Sequence, residues 1–80
     1  MRHFHDLKIK TEYFKEVKAG KKTFEIRKND RGFKVNDLVT LHEVDESGLF
    51  TGKTLSFKIT YITDFEQKPG YVVFSIEPER

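Results

Sequence analysis

The sequence predicts an α+β domain, mostly β-sheet, in which about five strands form a small barrel and one early α-helix covers its mouth. Three observations lead to this fold class. Apolar residues recur at helical spacing in residues 11–19, whereas residues 54–62 alternate with the period of two that is typical of strands. The chain has 80 residues, which suits one domain spanning residues 1–80 with a single small core. Five strands and a helix of this size cannot form two well-filled layers, but they can curl into a barrel.

The first two elements are a strand and a short helix. Residues 5–9 alternate between apolar and polar side chains, which predicts a strand, and His5 lies on its apolar face. A histidine there is more often a hydrogen-bonded structural residue than a catalytic one. The helix should run to about Ala19, with Thr11 as its N-cap. Its apolar face, which we expect to pack on the sheet, comprises Tyr13, Phe14 and Val17.

The second strand should follow directly after the helix. Gly20 is the expected helix stop, because glycine adopts the left-handed conformation needed there without a steric penalty. The following alternation predicts that Phe24 and Ile26 face the core, with Glu25 and Arg27 on the opposite face. These two charged side chains would stand on the same side of the strand, close enough to pair or to hold a ligand between them.

Three further strands complete the predicted barrel, at residues 35–44, 54–62 and 71–76. The middle strand has the clearest alternation, and its predicted inward stripe comprises Leu55, Phe57, Ile59 and Tyr61. In the polar loop 45–52, we expect Phe50 to fold back onto the barrel rim. Pro69 and Gly70 fit the central positions of a type II turn before the last strand.

A family resemblance agrees with this fold. Gly20, Lys22, Glu25 and Arg27 fill the pattern G-x-K-x-x-E-x-R of the ASCH domains, a branch of the PUA-like superfamily. The matching segments also include HDLKI at 5–9, EYF in the helix, FKVND at 33–37 in place of F-x-V-G-D, YIT at 61–63 and YVVFSI at 71–76. Together they resemble the small bacterial and phage ASCH-like proteins grouped as DUF3850. The resemblance implies a PUA-like barrel whose motif lines a cleft between helix and barrel, with the lysine at its edge.

The charge is distributed unevenly along the chain. Residues 8–34 hold ten Lys or Arg against four Asp or Glu, a balance of +6, whereas residues 35–80 hold four against eight, a balance of −4. Excess positive charge on the helix and second strand favours an anionic partner such as a nucleic acid backbone. A solvated lysine-rich surface would produce the same bias.

Charge and resemblance together favour an RNA-binding module. Such a module would recognise RNA or a modified nucleoside in the cleft between helix and barrel, with cations meeting phosphate and an exposed aromatic ring stacking on a base. The residues expected to bind this ligand are Gly20, Lys21, Lys22, Glu25, Arg27, Lys28 and Arg31.

A small amidohydrolase is the alternative that the resemblance raises. One ASCH branch deacylates N4-acetylcytidine with a lysine, a threonine and a glutamate. Lys22 matches that lysine, but Glu25 stands where the motif has threonine, and the later glutamate has no counterpart, so the catalytic set does not carry over. In an enzyme, Glu25 would act as a general base on water and Lys22 would stabilise an oxyanion. A binding module is therefore favoured over an enzyme, and a protein–protein adaptor is the third alternative.

Other sites are disfavoured by what the sequence lacks. Without cysteine there is no disulfide framework and no thiolate metal site. The three histidines do not show the spacing of a metal site, and the segment GKKT lacks the first glycine of a phosphate-binding loop. We therefore expect no metal and no cofactor. No apolar run suits a signal peptide or a membrane helix, so we expect a soluble cytoplasmic protein without a membrane partner.

Overall fold

The alternating segments become five strands in residues 2–78, the part of the chain that the computed structural model describes. In chain order the elements are β1 (Phe4–Lys10), α1 (Thr11–Lys18), β2 (Phe24–Lys28), β3 (Leu38–Val44), β4 (Phe50–Thr63) and β5 (Tyr71–Pro78). The strand order across the sheet is β1-β3-β4-β5-β2. β1 pairs with β3 in parallel, and the other neighbouring strands are antiparallel. The sheet curls into a half-barrel with β1 and β2 as its edges, which confirms the predicted α+β fold class.

The core lies between the sheet and α1. Its most deeply buried side chains come from the three central strands and are Val39, Leu41, Ile59 and Phe74. Phe14 and Val17 of the helix pack into the same cluster, together with Leu7 and Ile9 of β1. Burying these side chains stabilises the fold by roughly 1.5–3 kcal/mol each. An eight-residue helix is marginal alone, so this packing holds α1 in place.

The C-terminus of α1 has the predicted glycine stop. Gly20 adopts a φ of 77°, and its N–H donates to the carbonyl of Val17 at 3.0 Å. The N–H of Lys21 donates to the carbonyl of Glu16 at 2.9 Å. These two bonds form a Schellman motif, which pairs carbonyls that the helix leaves unbonded and fixes the direction in which the chain leaves it.

The predicted N-cap of α1 was wrong. Lys10 occupies the cap position and makes no side-chain cap bond. Thr11 is already helical, and its hydroxyl donates to the carbonyl of Val44 at 3.2 Å. The difference arises because β1 runs into α1 without an intervening loop, so Thr11 connects the helix to β3.

The inward stripe of β4 was predicted correctly as far as Ile59 and wrongly at Tyr61. The β4–β5 register shifts between these two residues. A bulge of this kind turns the following side chains to the opposite face of the sheet. Tyr61 is therefore exposed, and Ile62 packs against the core instead.

A turn before β3 replaces the predicted start of that strand. Asn36 has a φ of 79°, so the strand begins at Leu38 rather than at residue 35. The buried carboxylate of Asp37 accepts hydrogen bonds from the backbone N–H groups of His3 at 3.0 Å and Lys34 at 3.1 Å. It is also 2.9 Å from Nε2 of His5, which has the structural role expected from the sequence.

Candidate functional site

Strand β2 turns its charged face inward. Glu25 is only 4% exposed, whereas Phe24 and Ile26 are 42% and 52% exposed. The predicted facing of Phe24, Glu25, Ile26 and Arg27 was therefore wrong. β2 lies at the edge of the sheet and pairs with β5. Glu25 and Arg27 stand opposite the core residues Phe74 and Val72, so they face the same side of the sheet as the core. A carboxylate can be buried there because cations surround it.

Glu25 is held between two cations. Its Oε1 accepts a hydrogen bond from Nζ of Lys22, and its Oε2 accepts one from Nε of Arg27 at 2.9 Å. Lys22 also donates to the carbonyl of Phe24 at 2.8 Å. Both carboxylate oxygens thus have a charged partner, and one carboxylate between two cations leaves an excess of one positive charge.

The end of α1 positions Lys22. Its backbone N–H joins that of Lys21 on the carbonyl of Glu16, at 3.1 Å and 2.9 Å. Gly20 therefore acts on the site through the backbone, by allowing the turn that these bonds require. Nζ of Lys22 lies 5.9 Å from the ring centre of Tyr13 and 4.9 Å from that of Phe24, so the ammonium group also makes cation–π contacts.

Arginine side chains from β2 and from the turn that follows it reach across to β1. Nη2 of Arg27 donates to the carbonyl of Lys8 at 2.7 Å. Nη1 of Arg31 donates to the carbonyl of Asp6 at 3.0 Å. We call this gap between β1 and β2 the seam. Its bridging bonds come from guanidinium groups instead of a backbone ladder.

One cleft opens where the seam meets α1, and we call it the helix cleft. It has a volume of about 500 Å³ and combines cationic, aromatic and aliphatic side chains. The lining residues are Lys8, Ile9, Lys10, Tyr13, Lys22, Phe24, Glu25, Ile26 and Arg27.

A second cleft follows the seam away from α1, and we call it the Phe50 cleft. It measures about 640 Å³ and shares Lys8 and Arg27 with the helix cleft. Its lining residues are Asp6, Leu7, Lys8, Arg27, Arg31, His42 and Phe50. Phe50 was predicted to lie in a loop, but β4 begins at this residue, which pairs with Val44 of β3. Its ring centre is 6.1 Å from that of His42.

The predicted ligand-binding residues are distributed unequally. Lys22, Glu25 and Arg27 come together in the helix cleft, whereas Arg31 lies in the Phe50 cleft. Lys21 and Lys28 are exposed and line neither of these two clefts. Gly20 lies with Lys22 and Thr23 in a smaller depression of about 280 Å³ at the end of α1.

The sequence missed several residues that line the helix cleft. Tyr13 was assigned to the core, but it is 47% exposed and faces the cleft. Its neighbour Phe14 is buried, and successive residues on a helix point about 100° apart, so only one of the two can face the core directly. Lys8 and Lys10 alternate with the buried residues of β1. This alternation predicts that both lysines are exposed, but it does not indicate that they line a cleft.

Two features are absent from the structure of residues 2–78. No group of three or more His, Cys, Asp or Glu side chains there is arranged to hold a metal ion. No helix in the same residues is long and apolar enough to cross a membrane.

The sequence of the chain matches a known protein family. The model of a family described as "Domain of unknown function (DUF3850)" matches residues 4–76. The chain belongs to the DUF3850 family. Every residue that lines the helix cleft or the Phe50 cleft falls within the DUF3850 match.

A phage protein is similar to this DUF3850 chain. It is described as "Uncharacterized 12.9 kDa protein in GpA 3'region" of Escherichia phage P2. The two are 41% identical over 64 residues, which cover 80% of this chain and 58% of the phage protein. The chain thus spans little more than half the length of this relative.

Proposed function

We propose that this DUF3850 domain is an RNA-binding module of the ASCH, PUA-like type that holds one nucleotide or modified nucleoside in the helix cleft. The observation that carries the proposal is the combination of charge and aromatic surface in that cleft. Four cations, Lys8, Lys10, Lys22 and Arg27, line it against the single carboxylate of Glu25. This excess of positive charge favours an anionic ligand.

The aromatic residues supply the second half of the recognition. Tyr13 and Phe24 are both partly exposed at the cleft, and the ammonium group of Lys22 lies near both rings. Exposed rings beside cations suit an unpaired base, which can stack on an aromatic face while its phosphate meets lysine or arginine. The cleft volume of about 500 Å³ lies within the range of roughly 300–1,000 Å³ that is typical of small-ligand sites.

Another depression of similar size, about 490 Å³, is a poorer candidate. It lies at the start of α1, where Lys10 and Lys15 face Glu12, Asp45 and Glu46. These charges leave no positive excess, and no aromatic side chain lines the depression. The helix cleft is therefore better suited to a nucleotide.

The salt dependence of RNA binding tests the proposal. Binding of fluorescein-labelled single-stranded and hairpin RNA, measured by fluorescence anisotropy, should weaken with salt at a log–log slope of about −0.7 per phosphate contacted, for roughly three to five phosphates. Lys22→Ala and Tyr13→Ala should each weaken binding by about tenfold, since each removes a cation or a stacking surface. Lys68→Ala, outside both clefts, should not. Absence of binding at low salt, or binding that does not respond to salt, would overturn the proposal.

The hydrolase alternative has one observation in its favour and one against. Lys22 and Glu25 are in direct contact, as an oxyanion stabiliser and a general base would need to be near each other. However, each oxygen of Glu25 is bonded to a cation and the residue is only 4% exposed, which limits the access of a water molecule to this carboxylate. The binding module is therefore preferred.

Glu25→Gln distinguishes the two functions. In a binding module, the amide keeps the shape and one acceptor, so nucleoside affinity should stay within about tenfold, roughly 1.4 kcal/mol. In a hydrolase, turnover of N4-acetylcytidine to free cytidine, followed by chromatography, should fall by about 100-fold to 10,000-fold. Wild-type turnover that both Lys22→Ala and Glu25→Gln abolish would replace the module with the enzyme.

The adaptor alternative would use the exposed Phe24 and Ile26 as a protein contact. Four cations border these residues, which favours the anionic ligand over an apolar protein surface. An RNA ligand and a chain without cysteine also fit the proposed cytoplasmic location.

A further inference from the structure

The two clefts are consecutive along the seam. Residues 8–10 of β1 line the helix cleft, and residues 6–8 line the Phe50 cleft. The two stretches are offset by two residues, which is about 7 Å along a strand. This offset is comparable to the distance between neighbouring nucleotides in an extended single strand.

The Phe50 cleft repeats the chemistry of the helix cleft. Its aromatic surface is Phe50, which is 62% exposed although it starts a strand. Nζ of Lys8 lies 5.5 Å from the centre of the Phe50 ring. The rings of His42 and Phe50 are nearly perpendicular, at 79°, and the exposure of Phe50 shows that much of its surface is open to solvent.

The charges of the Phe50 cleft also favour an anion. Lys8, Arg27 and Arg31 face one carboxylate, that of Asp6. Oδ1 of Asp6 is already paired with Nε2 of His42 at 2.8 Å. Each guanidinium group donates one N–H to a β1 carbonyl, and Arg27 donates a second to Glu25. A guanidinium carries five N–H donors, so donors remain for a phosphate.

We propose that the seam binds two consecutive nucleotides of a single-stranded RNA. The first occupies the helix cleft, the base of the second stacks on Phe50, and the phosphate that links them meets Arg27 and Arg31. Arg27 is suited to this position because it lines both clefts. The inference rests on the proposed function, which puts one nucleotide in the helix cleft. It extends that ligand from a single nucleotide to a strand.

Amide chemical shifts in a ¹⁵N-labelled sample test the second site directly. The protein is titrated with CMP, UMP, AMP and GMP, and the most effective mononucleotide is compared with its own homohexaribonucleotide. The mononucleotide should shift amides near Tyr13, Lys22 and Phe24, and the hexanucleotide should also shift those near Arg31 and Phe50. A hexanucleotide that shifts only the first group overturns the second site. If no ligand shifts either group, both this inference and the proposed function fail.

Substitutions of single aromatic residues separate the two sites. Phe50→Ala should weaken hexanucleotide binding by about tenfold, because it removes one stacking surface, and leave the mononucleotide affinity within about twofold. Tyr13→Ala should weaken both ligands. Phe65→Ala, at a phenylalanine that is 74% exposed and lines neither cleft, is the matched control and should change neither affinity. Unchanged hexanucleotide affinity in Phe50→Ala would overturn the two-nucleotide strand, and a loss confined to Tyr13→Ala would leave the single-nucleotide module intact.

Discussion

Nε2 of His5 lies 2.9 Å from Oδ2 of Asp37, and this buried pair joins β1 to the turn before β3. The same carboxylate accepts two backbone N–H bonds. Burial raises the pKa of Asp37, but the hydrogen bond to His5 and the bonds from the backbone of His3 and Lys34 outweigh it and hold the pKa below its ordinary value of 3.8.

The lowered pKa predicts a loss of stability in acid. A carboxyl group whose folded-state pKa is depressed contributes its full stabilisation above the unfolded-state pKa and loses it as the pH falls towards the folded value. The free energy of unfolding, from urea titrations at several pH values, should therefore decrease below pH 3.8 partly through Asp37.

Asp37→Asn should isolate this contribution. The variant should lose about 1–3 kcal/mol near neutral pH, because an amide NH₂ would face an N–H donor, and its acid dependence should be shallower than that of the wild type. Asp30→Asn, at an exposed position, provides the control. Parallel pH profiles for wild type and Asp37→Asn would contradict the prediction.

The Glu25 and Arg27 pair should be energetically coupled. A double-mutant cycle of Glu25→Ala and Arg27→Ala, measured by denaturant unfolding, should give a coupling energy of about 1–3 kcal/mol, since the carboxylate is nearly buried and the bond is charge-assisted. Lys28→Ala, next along the strand and exposed, should change stability by less than about 0.5 kcal/mol. A coupling energy near zero would mean that Lys22 alone satisfies Glu25.

Substitutions at two adjacent residues of β4 should differ strongly in their effect on stability. Phe57→Ala removes a buried ring from the hydrophobic cluster and should cost about 3–5 kcal/mol, a large share of the stability of a domain this small. Lys58→Ala, on the opposite face, should have little effect. Equal shifts of the urea midpoint would contradict the observed facing of the strand.

The helix stop should link stability to ligand binding. Gly20→Ala forces a residue with a Cβ into a φ of 77° and should cost about 1–2 kcal/mol, although the space around it is open. Gly20→Asn should cost less, because asparagine adopts this conformation more readily. If the stop positions Lys22, Gly20→Ala should also weaken RNA binding while Lys68→Ala does not. Unchanged melting temperatures in both Gly20 variants would rule out the conformational argument.

Local sequence patterns predicted the positions of the helix and strands well. The features that these patterns could not predict depend on contacts between segments that are distant in the sequence. Alternation located the strands, and Gly20 located the helix end, because both depend on a few neighbouring residues. The approach of Glu25 and Arg27 followed from their spacing on one strand. Which face of β2 is buried depended on the strand's place at the sheet edge, and nothing in residues 24–28 carries that information.

The seam was equally invisible to local reasoning. It forms because β1 pairs with β3 across more than thirty residues of sequence while β2 pairs with β5, as in the partners Phe4 and Leu38. Tyr61 was misplaced for a related reason, since a bulge depends on how two strands match and not on the alternation of either. The motif residues were identified by resemblance, but the aromatic surface of the helix cleft emerged only from the fold.

The guanidinium bridges have a consequence for how copies of this protein meet one another. An open strand edge presents carbonyl and N–H groups on which a strand from another molecule can assemble, the first step towards edge-to-edge polymers. Along β1, the carbonyls of Asp6 and Lys8 are already occupied by Arg31 and Arg27. On the other side of the gap, β2 is only five residues long. The arginines therefore leave fewer free carbonyl acceptors along this edge for a strand from a second molecule.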